Sequence, residues 1–121
     1  MHETGIAWDI LETARREAAR AGSPLSAVCV RLGEMSGVVA EALSFAFDAL
    51  KSEAGVPEAR LSIEPIPVEA LCPQCGSRRL PEGDLILWCM ECGTPMRVCS
   101  GEQMEIAWIE VDDAGQTEPG P

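Results

Sequence analysis

Four of the six cysteines fall in two Cys-x-x-Cys-Gly knuckles, Cys72-Pro73-Gln74-Cys75-Gly76 and Cys89-Met90-Glu91-Cys92-Gly93, with thirteen residues between Cys75 and Cys89. Paired knuckles at this distance are the sequence form of a tetrathiolate metal site. Each thiolate can stand about 2.3 Å from one tetrahedral Zn²⁺, and the glycine after each second cysteine lets the backbone turn beneath the metal with positive φ. Four protein ligands close the coordination sphere, so such a site is structural rather than catalytic. Two disulfides, a dithiol redox centre or an Fe(S-Cys)₄ centre would use the same residues, but zinc suits two knuckles best.

A second set of donors stands at the start of the chain. His2 is the only histidine, and it adjoins the α-amine of Met1. The Met1 amine, the His2 backbone nitrogen once deprotonated, and His2 Nδ1 can close two fused chelate rings in one plane. That arrangement suits Ni²⁺ or Cu²⁺. Glu3 can add an oxygen or orient the imidazole from outside the coordination sphere. Taken alone the pattern is short and frequent by chance, and a terminal histidine without a role is its commoner meaning.

The chain that must position these groups has 121 residues, enough for one domain carrying a small metal-stapled insert. A segment of about 30 residues cannot bury enough apolar surface to fold alone, so the metal must supply its stability. Nine basic residues against twenty acidic give a net charge of −11. A Zn²⁺ on four thiolates carries a further net −2, for about −13 in all. Phosphate backbones repel such a surface, which argues against nucleic acid as a partner and for cations or a basic protein surface. Arg78 and Arg79 are a local exception. No run approaches the ~18 apolar residues of a membrane span, and the amino terminus has no basic or apolar leader pattern. The expectation is a soluble cytoplasmic protein whose thiols stay reduced.

Ile6, Ala7, Ile10, Leu11, Ala14, Ala18 and Ala21 recur at helical spacing, with Glu12 and Arg16 placed to pair, and Gly22 and Pro24 close that helix. Leu25 to Leu32 reads as a strand with Val28, Val30 and Leu32 on one face, and Cys29 reads as a buried core thiol. Ser36 is placed to cap a second helix, with Val39, Leu43, Ala46, Phe47 and Leu50 as its apolar stripe and Gly55 and Pro57 as its end. Arg60 to Glu64 alternates as a second strand until Pro65 and Pro67. Strand–helix–strand in this order predicts a parallel pair. A strand-like run from Asp84 to Trp88 leads into the second knuckle. Glu102 to Val111 reads as a last strand, with Met104, Ile106 and Trp108 on one side and Ala107, Ile109 and Val111 on the other. Nothing in the cysteine segment is long enough to pair with it, so it should return to the first sheet. Trp8, Trp88 and Trp108 read as packing residues.

The fold expected is therefore α+β, with two helices on a small mixed three-stranded sheet and an inserted zinc-ribbon-like module. Residues 1–67 with 102–111 would form the first domain and 68–101 the second. The acidic tail 112–121, rich in Gly and Pro, should be disordered.

Several of these segments together resemble one family. Met1-His2-Glu3, Gly33-Glu34-Met35-Ser36-Gly37-Val38, Glu41-Ala42-Leu43 with Phe45-Ala46-Phe47-Asp48, the two knuckles and Ile109-Glu110-Val111 look like the hydrogenase-maturation nickel chaperones, the HypA/HybF family. The resemblance spans residues 1 to about 111. It implies a metallochaperone that binds Ni²⁺ through Met1 and His2 with Glu3 in support, and a structural Zn²⁺ on Cys72, Cys75, Cys89 and Cys92. It implies a partner GTPase, delivery to the large subunit of a [NiFe]-hydrogenase, and, in some bacteria, work with urease maturation proteins. A monomer is expected. Nickel should be released as pH falls, because protons compete for the same nitrogens.

The chain departs from the family pattern at three points. Ala40 stands where many members have proline, at small cost in a first helical turn. Met90 replaces the usual proline of the second knuckle and leaves that turn less restrained. No histidine lies near the zinc module, so a fourth nickel ligand must come from Glu3, a carbonyl, water or the partner. Cys99 reads as a bystander thiol, with an auxiliary nickel ligand as the alternative. No nucleophile–base pair or phosphate loop points to an enzyme. The rival readings are a rubredoxin-like Fe(S-Cys)₄ electron carrier and a zinc-ribbon transcription adaptor.

Overall fold

The computed structural model describes residues 2–79 and 87–112. Helix α1, Glu3–Ala21, buries Ala7, Ile10, Leu11, Ala14 and Ala18, the single stripe its spacing predicts. Gly22 closes it, donating to the carbonyls of Ala18 and Ala19. Glu12 pairs with Arg15 at 2.7 Å rather than with Arg16, and Arg20 pairs with Glu17 at 3.2 Å. Residues three apart are neighbours on a helix just as those four apart are.

Strand β1, Leu25–Gly33, and strand β2, Arg60–Ile66, lie parallel, with Ala27 opposite Arg60 through to Gly33 opposite Ile66. Helix α2, Ala40–Leu50, connects them. Its N-cap is Val39, and Ser36 is not its cap. The Ser36 hydroxyl instead accepts the Val38 N–H at 3.2 Å, which spends it on the loop before the helix begins. Regular helix ends at Leu50, and the chain continues in turns, with Ala54 N–H to Leu50 O and Val56 N–H to Lys51 O both 2.9 Å. Pro65 does not stop β2: the strand is a sheet edge, where a missing donor costs no ladder bond.

The cysteine-bearing segment holds β3, Glu69–Leu71; β4, Arg78–Arg79; β5, Trp88–Cys89; β6, Thr94–Pro95; and β7, Arg97–Ser100. These form a three-stranded sheet, β4-β3-β7, and a two-stranded one, β5-β6. Most of the expected strand from Asp84 to Trp88 lies outside the described residues, as does the tail beyond Asp112. Strand β8, Met104–Val111, returns beside β1 antiparallel, completing the mixed sheet β2-β1-β8.

One feature of β8 departs from simple alternation. Cys29 faces Trp108 across the ladder, but Val30 faces Ile106, so a bulge at Ala107 takes up one residue. Ile106, Ile109 and Val111 therefore pack together against the core, while Trp108 turns to the other face and stays 49% exposed. Of the three tryptophans only Trp8 packs against the main core, and Trp88 is also exposed. Cys29 is buried, as expected. The core between helices and sheet is centred on Phe47, Leu11, Leu43, Val28 and Val30. A second, much smaller cluster joins Ala70, Cys72, Cys89 and Met96, with Leu87 and Cys92 packed against it.

The end of β1 and the loop after it hold both connections between the two clusters. Glu34 N–H reaches Ile66 O at 3.0 Å, Met35 N–H reaches Gly101 O at 2.7 Å, and Gly33 N–H reaches Gln103 O at 2.7 Å. The approach is so close that a Cβ on Gly33 would overlap the Gly101 carbonyl. Only glycine fits there.

Candidate metal centres

In both knuckles, the first cysteine's carbonyl accepts the N–H of the glycine four residues on. Gly76 N–H reaches Cys72 O at 3.0 Å, and Gly93 N–H reaches Cys89 O at 2.8 Å. Both glycines have positive φ, 77° and 64°. The second turn closes as tightly as the first, so Met90 in place of proline has not loosened it; its side chain simply faces solvent. The two turns bring Cys72, Cys75, Cys89 and Cys92 together, with all four Sγ atoms within 4.8 Å of one another. Cys75 and Cys89 are 3.8 Å apart. Four sulfurs bound tetrahedrally at about 2.3 Å stand about 3.8 Å from each other, whereas a disulfide requires about 2.05 Å. All six cysteines are free thiols. Size, donor softness and closure fit Zn²⁺.

Hydrogen bonds prepare charge in this cluster. The Cys72 thiol is lowered to about 6, first because the Cys75 backbone N–H points at its sulfur, at 3.5 Å, with further help from the Thr94 hydroxyl at 3.6 Å. Cys75 is lowered by the Ser77 hydroxyl, 3.0 Å from its sulfur. Cys92 is pushed up to about 12, because its proton is shared with the Cys75 sulfur and because burial disfavours charge. The first knuckle therefore becomes anionic first, and a divalent cation displaces the protons that remain. Ser77 and Thr94 escaped the sequence reading. Each stands two residues after the second cysteine of its knuckle, in Cys75-Gly76-Ser77 and Cys92-Gly93-Thr94, and that repeated hydroxyl was the available signal.

At the amino terminus, Met1 lies outside the described residues. His2 is exposed at the N-cap position of α1; its carbonyl accepts the Ile6 N–H at 3.1 Å, and its imidazole makes no capping bond. Glu3, read from sequence as a nickel oxygen or an orienting partner, has a different contact here. Its carboxylate accepts the Val39 N–H at 3.0 Å and so ties the start of α1 to the start of α2. That bond is the main reason its carboxyl lies below the usual range. His2 and Glu3 open onto a groove of about 400 Å³ along α2, where Phe45 is 77% exposed.

Cys99 lies on β7 outside the four-thiol cluster, exposed, with the Arg78 guanidinium 3.8 Å from its sulfur. Arg78 also pairs with Glu69 at 3.0 Å, so its charge is largely compensated. Among the described residues no helix is long and apolar enough to cross a membrane.

A mixed α/β core joined to a small ribbon module that gathers four thiols defines a small protein with one metal-binding cluster among the described residues. The family described as "Hydrogenase/urease nickel incorporation, metallochaperone, hypA" matches residues 1–111. The hydrogenase maturation factor HypA of Roseiflexus sp. (strain RS-1) is 36% identical over 115 residues, covering 93% of this chain and 94% of that one. That of Chloroflexus aggregans is 36% identical over 112 residues, covering 91% and 98%. The chain belongs to the HypA family. Two solution structures share the fold: one of a HypA protein, with TM-score 0.70 at 23% identity over 93% of this chain and 97% of that one, and one of the Ni metallochaperone HypA from Helicobacter pylori, with TM-score 0.65 at 22% identity over 92% and 97%. Nickel is thus the cargo and zinc the structural metal that the four-cysteine cluster fits.

Proposed function

We propose that this chain carries Ni²⁺ for maturation of a [NiFe]-hydrogenase. It takes the ion up at the Met1 amine and at the backbone and imidazole nitrogens of His2. With a partner GTPase it passes the ion to the hydrogenase large subunit, and urease maturation proteins are further partners. Zn²⁺ on Cys72, Cys75, Cys89 and Cys92 stabilises the inserted domain 68–101, beside a nickel domain made of 1–67 and 102–111. The protein is not an enzyme, and it acts in the cytoplasm as a monomer.

The observation that carries this reading is family membership across residues 1–111, with His2 placed exposed at the head of α1. Ligands on a chain terminus can detach one at a time, which suits a carrier that must both load and release. Glu3, whose carboxylate also accepts the Val39 N–H, completes this set as the fourth ligand, through oxygen, or by orienting the imidazole. The test is hydrogenase activity in a host lacking its own HypA. The native chain should restore activity and His2→Ala should not, while Cys29→Ser should behave as native. Full rescue by His2→Ala would contradict the proposal.

A further inference from the structure

The mixed sheet β2-β1-β8 has two edges, and they differ. The β2 edge contains Pro65, which has no N–H to offer. The β8 edge has no proline between Met104 and Val111, and among the described residues β8 pairs with β1 alone. A full-length strand edge of this kind is a template for another strand unless something guards it. Here the surroundings are arranged for reception. A groove of about 190 Å³ runs between β8 and the flank of α1, with Ile6, Ile10, Met104 and Ile106 as its apolar lining and Asp9 beside them, while the Glu105 carboxylate pairs with Arg31 at 3.4 Å. On the opposite face of β8 the bulge presents Trp108, half exposed, with Glu110 exposed next to it.

We propose that the free edge of β8 receives an extended segment of a partner protein as a fourth strand, and that this segment alternates apolar residues with Lys or Arg. The main chain supplies the pairing, and alternate side chains fall on opposite faces of the sheet. Those on the α1 side enter the apolar groove beside Asp9. Those on the other side lie along Trp108 and Glu110, where a cation meets both an aromatic face and a carboxylate. The chain's net −11 attracts the same partner from a distance. A second copy is a poorer occupant, because its β8, Met104–Val111, carries no Lys or Arg to meet Asp9 or Glu110.

The test uses the full-length, zinc-loaded, ¹⁵N-labelled protein. The probe is an acetylated and amidated octapeptide alternating lysine with valine, together with the same peptide N-methylated at alternate backbone amides and a version with glutamate for lysine. The proposal predicts amide shifts confined to residues 104–111 and 6–13, no binding of the N-methylated peptide, and little of the glutamate one. Asp9→Lys combined with Glu110→Lys, both exposed positions, should weaken the lysine peptide about tenfold at low salt and admit the glutamate peptide. The amide spectrum of the variant reports its folding directly. Shifts elsewhere, equal binding of the N-methylated peptide, or concentration-dependent shifts of the β8 amides without any peptide would each overturn the proposal. His2 is untouched throughout, so nickel binding by the same samples is read separately.

Discussion

The two clusters of this molecule are built on opposite principles. The α/β core buries Phe47, Leu11, Leu43, Val28 and Val30 completely, between two amphipathic helices and a sheet. Its burial is enough to order it without a ligand. The cysteine-bearing cluster buries Ala70, Cys72, Cys89 and Met96, and two of those four are thiols of the metal site. Its strands are two to four residues long. Such a module folds because four thiolates converge on an ion, not because apolar side chains converge on one another. Packing is graded and tolerates repair; a tetrahedral site is present or lost as a unit.

The contrast is sharpest where metal is removed. Structural Zn²⁺ in small modules contributes on the order of 10 kcal/mol of apparent folding free energy. A chelator, or Cys72→Ser, should therefore erase the amide dispersion of residues 69–79 and 87–100 while leaving that of α1, α2 and β1 in place. Collapse of both halves together would show the clusters to be one cooperative unit. The reciprocal change is Phe47→Ala, which opens a cavity in the larger core and should cost about 3–5 kcal/mol there by denaturant titration. Zinc content should be unaltered under native conditions. A smaller effect is expected at the seam. Gly33→Ala forces the loop away from Gly101 and should cost about 1–3 kcal/mol, with shifts at Met35 and Gln103 and both clusters still folded. Smallest of all is Glu3→Ala. It removes the acceptor of the Val39 N–H, so that amide should shift and exchange faster while the melting temperature falls only slightly.

How legible each region was follows from the same contrast. The cysteine site was readable almost outright, because ligand spacing is a local property and each Cys-x-x-Cys-Gly turn is closed by its own backbone. The core elements were readable from periodicity, and the return of the last strand followed from its lack of any partner near the cysteines. What escaped depended on contacts between distant segments. Ser36 has the right chemistry for a cap, but Val39 meets a carboxylate 36 residues upstream instead. The faces of β8 could not be assigned by alternation, because the bulge opposite Cys29 and Val30 is fixed by pairing rather than by the strand itself. Alternation alone therefore assigns Trp108 to packing, whereas it lies on the open face. Pro65 is compatible with its strand only because the strand is an edge, and that place is a property of the whole sheet.

Under the proposed function nickel and zinc occupy independent sites, one on nitrogen at the chain's start and one on sulfur in the knuckles. That independence is tested most directly by metal analysis after nickel loading of three untagged proteins: the native chain, His2→Ala, and the native chain with two residues added before Met1. One nickel and one zinc are expected in the native protein, and zinc alone in the other two. Nickel retained in all three, or exchanged for zinc one for one, would contradict it and move the cargo to the cysteines.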